Sequence, residues 1–154
     1  MNKVNLREVD VDNLREVCKL SNTLTPFQQK CVAPNAFSIA EAHFYPGIAW
    51  FRAIYLDDEP IGFVMISLKP EDIQPSDEPS AYLWRFMIAK DYQQKGYGSQ
   101  VLDIIVDQCR KENYRYLYTS CSLEGDQPMS FYLKYGFVDT GVLEEDEEVL
   151  KLKL

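Results

Sequence analysis

The sequence has few of the residues that build metal sites. It contains one histidine, His43, and its four cysteines form no C-x-x-C pair. Structural zinc sites take their ligands from closely spaced cysteines and histidines, so we predict no bound metal. We interpret Cys18 and Cys109, which occupy apolar positions of predicted helices, as buried free thiols.

Positive charge is also scarce. The chain has 16 lysines and arginines against 24 acidic residues, which gives a formal net charge of −8. Nucleic-acid-binding domains need a basic surface, so we predict no nucleic-acid partner. An acidic field raises the local concentration of a cationic small molecule, although the same charge also serves solubility alone.

Long apolar runs are absent as well. No stretch is long enough to cross a membrane, and the first ten residues, MNKVNLREVD, lack the apolar region of a signal peptide. We therefore expect a cytoplasmic protein without a membrane partner. A hydrophobic content of 46% over 154 residues predicts one packed domain covering 1–154. The oligomeric state stays open, a homodimer included.

Apolar periodicity predicts an antiparallel set of strands followed by strand–helix–strand–helix–strand. This order indicates an α+β fold, in the mixed α/β three-layer sense, and not a doubly wound sheet, because the central strands lack crossover helices. Helices are expected near residues 14–18, 38–46, 98–112 and 127–135. Residues 25–35 are expected to form an irregular or short-helical connection. Strands are expected at residues 4–9, 49–56, 61–68, 81–88, 114–121, 137–142 and 149–154.

Two local patterns refine this outline. Ser38 and Glu41 form an S-x-x-E pattern, which predicts a capping box at the start of a short helix. The acidic run EEDEE at 144–148 separates the last two predicted strands. Charge blocks of this kind tend to be solvated, so we interpret the run as an exposed hairpin turn.

Two glycines, Gly96 and Gly98, stand at the start of the most regular predicted helix. A helix start leaves backbone N–H groups without partners and carries partial positive charge. Glycines there let a ligand reach the backbone, so we interpret the loop as an anion site, with phosphate as the usual occupant. The loop is not a P-loop, because the G-K-[ST] ending is absent, nor a dinucleotide fingerprint, because Val101 replaces the third glycine.

Two motifs, in this order, resemble those of the GNAT superfamily of N-acetyltransferases. The loop QQKGYG at 93–98 resembles the family's Q/R-x-x-G-x-G/A motif for the pyrophosphate of coenzyme A. The segment FYLKYGF at 131–137 resembles its C-terminal signature. The resemblance covers essentially the whole chain. It implies a splayed, mostly antiparallel sheet flanked by helices, with acetyl-CoA held where the fourth and fifth strands separate.

The resemblance also implies roles for individual residues. Tyr132 would be the general acid that protonates the leaving thiolate, with a core aromatic as the alternative. Lys95 would add a charge beside a phosphate, with a solvated lysine as the alternative. Backbone amides of the loop would hold the pyrophosphate, and the fourth strand would pair with the pantetheine arm. The implied cofactor-binding residues are Phe86, Met87, Ile88, Gln93, Gln94, Lys95, Gly96, Tyr97, Gly98 and Ser99.

The acceptor is less well defined. The segment EGDQP at 124–128 resembles a subgroup labelled spermine/spermidine acetyltransferases, which implies a small primary amine. Another acceptor, such as an amino acid, an antibiotic or a peptide N-terminus, and a non-catalytic acetyl-CoA-binding module are the alternatives. Gly125 stands where the family often has asparagine. Trp84 stands where polyamine acetyltransferases commonly have an acidic residue. Trp84 and Phe51 would line an apolar part of the acceptor pocket, with core packing as the alternative.

Acetyl transfer to an amine requires a base, because an alkyl ammonium has a pKa of about 10.4 in water. The candidates are Glu41, His43, Glu71 and Asp72, and a water chain is the alternative. Glu41 and Trp84 are the expected substrate-binding residues. The resemblance implies that the early helix, which carries Glu41, lines the acceptor site, and Trp84 would belong to the apolar part of the same pocket.

Overall fold

The computed structural model describes residues 3–71, 73–122 and 127–154. Within these ranges the chain forms strands and α-helices in the order strand, three helices, three strands, helix, strand, helix and two strands. Short 3-10 helices lie at Leu20–Thr23, Pro75–Asp77 and Lys90–Tyr92. The elements are β1 (Val4–Arg7), α1 (Leu14–Lys19), α2 (Pro26–Cys31), α3 (Asn35–Ala42), β2 (Ala49–Leu56), β3 (Glu59–Ser67), β4 (Ser80–Ile88), α4 (Tyr97–Lys111), β5 (Tyr116–Ser122), α5 (Gln127–Tyr135), β6 (Val138–Glu144) and β7 (Glu147–Lys153).

The strands form one seven-stranded sheet in the order β1-β2-β3-β4-β5-β7-β6. Every neighbouring pair is antiparallel except β4 and β5, which are parallel. Parallel strands need a long crossover, and α4 provides it between these two strands. The predicted α+β fold with a mostly antiparallel sheet flanked by helices is therefore confirmed.

The parallel pair is short, and the sheet splits beyond it. Residues 80–82 of β4 pair with residues 116–118 of β5. Further along, β4 stays paired with β3 as far as Ile88, whereas β5 stays paired with β7 as far as Ser122. The two strands therefore diverge from a common end. Among the described residues, no strand pairs with the backbone of residues 83–88 on the side of the gap. The side chains of Thr119 and Gln93 donate to the carbonyls of Leu83 and Ile88, and the polar groups between these two ends are available to a ligand.

Helices cover both faces of the sheet and create two separate cores. On one face α4 and α5 enclose Leu102 and Leu117 in a core cluster that both helices share with the sheet. On the other face α1 and α3 pack against the sheet around Val17 and Phe63. This arrangement gives three layers, helix, sheet and helix. Within the described ranges, no helix is both long enough and apolar enough to span a membrane.

A bulge in β4 changes which side chains face the α1–α3 layer. Ile66 of β3 is opposite Leu83, but the next residue back, Met65, is opposite Arg85, so that Trp84 is an extra residue on β4. Leu83 lies in the core beneath α4, whereas Met65 lies in the core beneath α1 and α3, against which Trp84 also packs. The bulge therefore turns two consecutive side chains, Trp84 and Arg85, toward the α1–α3 layer.

Two local predictions need correction. The predicted capping box at Ser38 is wrong, because α3 already begins at Asn35 and Ser38 is buried inside it with no hydrogen-bond partner for its hydroxyl. A capping box does occur one helix earlier, where Thr25 and Gln28 exchange hydrogen bonds at the start of α2. Both thiols interpreted as buried are free, but only Cys109 is buried and Cys18 is half-buried.

Asp77 joins the closed end of the split. It is buried in the 3-10 helix before β4 and accepts hydrogen bonds from the Tyr118 hydroxyl of β5 and, at 3.1 Å, from Lys151 Nζ of β7. The hydrogen bond from Tyr118 lowers the pKa of Asp77, Lys151 lowers it further, and burial opposes both. The carboxylate thus links the start of β4 to the two strands beyond the gap.

We expect Asp77→Asn to lower the free energy of unfolding by about 1.5–3 kcal/mol, the range for hydrogen bonds to charged groups. The native pKa of Asp77 lies below its unfolded value of about 3.9, so its stabilisation is complete above that pH and disappears as the pH falls through the native pKa. Urea denaturation at several pH values should show a difference from wild type that is constant near neutrality and shrinks below about pH 4.

Asp107→Asn is the matched control, because Asp107 makes an exposed pair with Lys111 at 2.9 Å on α4, worth at most about 0.5 kcal/mol. Equal stability of the two variants at neutral pH would contradict the role assigned to Asp77.

Candidate active site

The gap between β4 and β5 opens into a cavity of about 1240 Å³. This volume exceeds the roughly 300–1,000 Å³ of ordinary small-molecule pockets, so it suits a long ligand together with a second, smaller one. Helix α2, residues 83–88 of β4, the loop before α4, residues 119–122 of β5 and helix α5 form the walls.

The loop at one end of the cavity has the geometry of an anion site. Gln94 and Gly96 have left-handed backbone angles, with φ of 59° and 85°, and they turn the chain into the start of α4. Gly96 is the N-cap residue, and no side chain caps the helix. The first backbone N–H groups of α4 therefore have no partner within the helix. A Cβ on Gly96 would stand in open space, with no atom within 4 Å, so this end of the cavity has room for a phosphate.

Glycine at position 98 is explained by packing and not by space for a ligand. A Cβ on Gly98 would lie 3.1 Å from Cζ of Phe131 in α5, closer than ordinary contact. The Phe131 ring also faces Phe86 of β4, with 6.2 Å between the ring centroids. Gly98 thus lets α5 approach the start of α4, and of the two glycines only Gly96 leaves open space for a ligand.

Gln93 connects the loop to the walls through its side chain. Its amide nitrogen donates to the Ile88 carbonyl at 2.8 Å, and its amide oxygen accepts from Gln28 of α2 at 3.0 Å. Gln28 also accepts a hydrogen bond from the Thr25 backbone in the capping box of α2. The side chain of Gln93 therefore holds β4, α2 and the loop in one arrangement and is itself engaged, which leaves the backbone N–H groups at the start of α4 to an anion.

Tyr132 lies in the middle of the cavity wall. Its ring is 8% exposed and makes edge-to-face contacts with Phe131 and Phe137, each with 5.3 Å between centroids. Burial raises the pKa of Tyr132, a hydrogen bond with Thr119 lowers it in part, and the charge of Glu147 raises it. The phenol therefore stays protonated at neutral pH, which suits donation of a proton. Tyr132 is both a core aromatic and a cavity residue, so the two interpretations of its sequence position are compatible.

The α3 side of the cavity contains an aromatic residue and an ion pair. Trp84 lines the cavity and meets Tyr45 edge-on, with 5.6 Å between ring centroids. Arg85 lines it too and bonds Glu41 at 3.0 Å between Nη2 and Oε1, in a pair that is largely buried. Because Arg85 neutralises it, Glu41 is a poor candidate for a free base.

Two other predicted bases, His43 and Glu71, do not line the cavity. His43 is exposed and contacts the ring of Phe44, and Glu71 is exposed in the loop before β4. Asp72 lies outside the described residues, as does Gly125 with the start of the EGDQP segment. Phe51 packs on Phe63, with 5.8 Å between centroids, so core packing describes it better than pocket lining.

The structure brings most of the predicted cofactor residues into one cavity. Lys95 is exposed and does not line it, and Tyr97 turns its ring toward Tyr92, with 6.5 Å between centroids. No group of three or more histidine, cysteine, aspartate or glutamate side chains in the described ranges could hold a metal ion. The predicted residues that line the cavity are Trp84, Phe86, Met87, Ile88, Gln93, Gln94, Gly96, Gly98, Ser99 and Tyr132.

Glu147 is a cavity residue that was not predicted from the sequence. β7 begins at Glu147, two residues before the predicted strand, and the tight turn contains only Glu145 and Asp146. Glu147 is half-buried, lines the cavity and accepts a hydrogen bond from Ser120 at 3.0 Å. The interpretation of the acidic run as an exposed turn is therefore wrong for Glu147 and for the half-buried Glu148. Composition gives no signal for this, because all residues of the run are acidic.

Comparison with known proteins decides the family. The sequence profile of the acetyltransferase (GNAT) family matches residues 12–137. The chain belongs to the GNAT family. It is an acetyl-CoA-dependent N-acetyltransferase, and acetyl-CoA is its co-substrate.

Relatives and structural neighbours of this GNAT acetyltransferase agree with that assignment. Spermine/spermidine N(1)-acetyltransferase of Bacillus subtilis (strain 168) is 26% identical over 155 residues, which are 97% of each chain. The GNAT domain of S. lividans PAT has a TM-score of 0.78 at 16% identity and covers 99% of this chain and 90% of its own. The PaiA N-acetyltransferase from Thermoplasma acidophilum, solved with coenzyme A, has a TM-score of 0.69 at 16% identity, with 99% of each chain covered.

The loop before α4 of this GNAT acetyltransferase can be tested with a matched pair of glycine variants. Gly96 and Gly141 have similar left-handed φ angles, 85° and 76°, and neither has an atom within 4 Å of an added Cβ. Gly96→Ala and Gly141→Ala therefore both introduce backbone strain of about 1–2 kcal/mol. We expect only Gly96→Ala to weaken acetyl-CoA binding, by tenfold or more, because its Cβ fills the space above the helix start.

Calorimetry with both folded variants measures this difference. Equal affinities of the two variants for acetyl-CoA would refute the assignment of the anion site to this loop.

Proposed function

We propose that this GNAT acetyltransferase transfers an acetyl group from acetyl-CoA to a primary amine of a small molecule, by direct attack in a ternary complex. The first candidate for the acceptor is a polyamine such as spermidine or spermine. The observation that carries the proposal is the single cavity in which the phosphate-sized space at Gly96, the Tyr132 phenol and the Trp84 ring all lie. Both substrates can therefore meet next to Tyr132.

In this proposal, the part of the cavity between β4 and the start of α4 binds acetyl-CoA. Residues 86–88 of β4 would pair through their backbone with the pantetheine arm, because this strand edge faces the gap without a neighbouring strand. Backbone N–H groups at the start of α4 would hold the pyrophosphate. Acetyl-CoA supplies an acetyl thioester, and the protein would hold its carbonyl near the acceptor, which is the main source of rate in a ternary complex.

Tyr132 would be the general acid in this proposal. A phenol that burial keeps protonated can give its proton to a sulfur that leaves as thiolate. Phe131 and Phe137 hold its ring in place in the wall of the cavity.

The polyamine assignment rests on three supports. The relatives of this chain include a spermine/spermidine acetyltransferase that is 26% identical over 97% of each chain. The net charge of −8 attracts polycations. The arginine in the acceptor wall, Arg85, is offset by Glu41, so it does not repel a cation at full strength. Trp84 weighs against a polyamine, because a tryptophan also suits an aromatic acceptor.

We expect Tyr132→Phe to lower kcat by roughly 10²–10⁴-fold and to leave the affinity for acetyl-CoA unchanged. Phenylalanine preserves the edge-to-face ring contacts and removes only the acid. Tyr135→Phe is the matched control, since Tyr135 lies on the same helix and its hydroxyl is bonded to Asp103 at 2.7 Å. The same small change in kcat for both variants would return Tyr132 to a purely structural role.

Acceptor choice can be measured from steady-state rates for spermidine, an aromatic amine and an amino acid at low and high salt. We expect spermidine to be the best of the three and its KM to rise with salt, because exposed charge pairs are screened. If spermidine is the poorest acceptor, or if its KM does not change with salt concentration, the polyamine assignment fails and the amine acetyltransferase assignment remains.

A further inference from the structure

Glu147 lies on the face of the sheet opposite Tyr132. On β5 successive side chains alternate between faces, so Ser120 and Ser122 share one face while Cys121 points to the other. Cys121 and Tyr132 belong to the core beneath α4. Glu147 is the cross-strand partner of Ser122 and bonds Ser120, and it therefore lies on the α1–α3 face. The gap between β4 and β5 is the opening through which both residues reach the cavity.

The described surroundings of Glu147 supply a hydroxyl but no ion pair to its carboxylate. Its hydrogen-bond donor is the neutral hydroxyl of Ser120, at 3.0 Å. The ion pairs among the described residues do not include Glu147, whereas Glu41 is held by Arg85 and Asp77 by Lys151. A half-buried carboxylate without a cation stabilises a cation brought to it by a ligand.

Neighbouring hydroxyls respond to this charge. Burial raises the pKa of Tyr82 to about 12, Ser120 lowers it through a hydrogen bond, and Glu144 and Glu147 raise it. The charge of Glu147 also raises the pKa of Tyr132. The negative charge of Glu147 therefore acts on a phenol of β4 and on the phenol of α5 that lines the cavity with it.

We propose that Glu147 binds the ammonium group of the acceptor and removes its proton. This inference rests on the proposed function and assigns the base. Of the candidates that the structure describes, Glu41 is paired with Arg85, and His43 and Glu71 do not line the cavity. The Ser120 hydroxyl would position the carboxylate from one side, and the open cavity leaves the other carboxylate oxygen to the acceptor.

The proton balance of the step is complete. An acceptor ammonium loses two protons when it becomes an amide. Glu147 takes the first, which frees the nitrogen lone pair to attack the thioester carbon. As the C–N bond forms and the C–S bond breaks, Tyr132 gives its proton to the sulfur, and the second nitrogen proton replaces the one that Tyr132 lost. Glu147 then releases its proton to solvent, so one proton appears for each acetyl group transferred.

The test compares Glu147→Gln with Glu145→Gln, a matched control that removes the same charge from the exposed turn of the same hairpin. We expect Glu147→Gln to lower kcat/KM by roughly 10²-fold or more for spermidine and for a monoamine alike, since both present the reacting nitrogen. Acetyl-CoA affinity should be unchanged in both variants. Spermidine binding, measured by calorimetry, should weaken only in Glu147→Gln.

The pH profile separates a base from a merely structural residue. An amine with a pKa of about 10.4 loses its proton to solvent as the pH rises, and it then needs no base. The deficit of Glu147→Gln should therefore shrink between pH 7 and pH 9.5, whereas a packing defect would persist. Glu147→Asp should recover part of the rate.

The outcomes distinguish the two proposals. Acetyl transfer by the wild type, with Glu147→Gln equal to Glu145→Gln, overturns the role of Glu147 and leaves the proposed function intact. A loss confined to spermidine, with the monoamine unaffected, also overturns it, because Glu147 would then hold a remote charge. If the wild type acetylates no amine, yet Glu147→Gln alone weakens spermidine binding, the ammonium site stands and the proposed function fails.

Discussion

The short parallel contact between β4 and β5 is the constraint on which the rest of the site depends. If the two strands paired over their full length, the sheet would close and the cavity would disappear. They pair only over residues 80–82 and 116–118, where Asp77 binds Tyr118 and Lys151. The closed end is therefore held by a buried carboxylate, and the open end is left to separate. The paired end of β4 and β5 therefore contributes to stability, and the separated end of the same two strands forms the cavity.

An open strand edge inside a sheet is normally a liability, because unpaired backbone groups attract other strands. Here residues of α2 and α5 line the cavity at the gap, and they cover the open strand edge against another strand. The gap also solves a geometric problem of acyl transfer, in which a base and an acid must reach the same few atoms from different directions. Side chains on opposite faces of an intact sheet cannot do so. Glu147 and Tyr132 can, because both line the cavity that opens between β4 and β5.

The buried and half-buried carboxylates of this protein show how surroundings divide the work among identical groups. Asp77 accepts hydrogen bonds from a phenol and an ammonium, so its pKa is lowered and its carboxylate stabilises the fold. Glu41 receives a guanidinium, which neutralises it and anchors α3 to β4. Among the described residues Glu147 accepts a hydrogen bond from the Ser120 hydroxyl and forms no ion pair, so its charge remains for a ligand. The distinction lies in the partners, because the side-chain chemistry is the same.

The sequence by itself determined the features that depend on local geometry. The apolar period placed β2 at Ala49–Leu56 and α5 at Gln127–Tyr135 with the bounds predicted, and the glycine at position 96 marked a left-handed turn before α4. Motif spacing then indicated the family. Only the tertiary structure decided which side chains meet across the sheet. Gln28 and Gln93 bond at a separation of 65 residues, and Glu41 and Arg85 at 44. These contacts depend on strand register, on the bulge at Trp84 and on a two-residue turn that brings Glu147 to the gap. The acidic run at 144–148 does not show which of its side chains becomes half-buried, because burial depends on the neighbouring residues that the fold brings to each side chain.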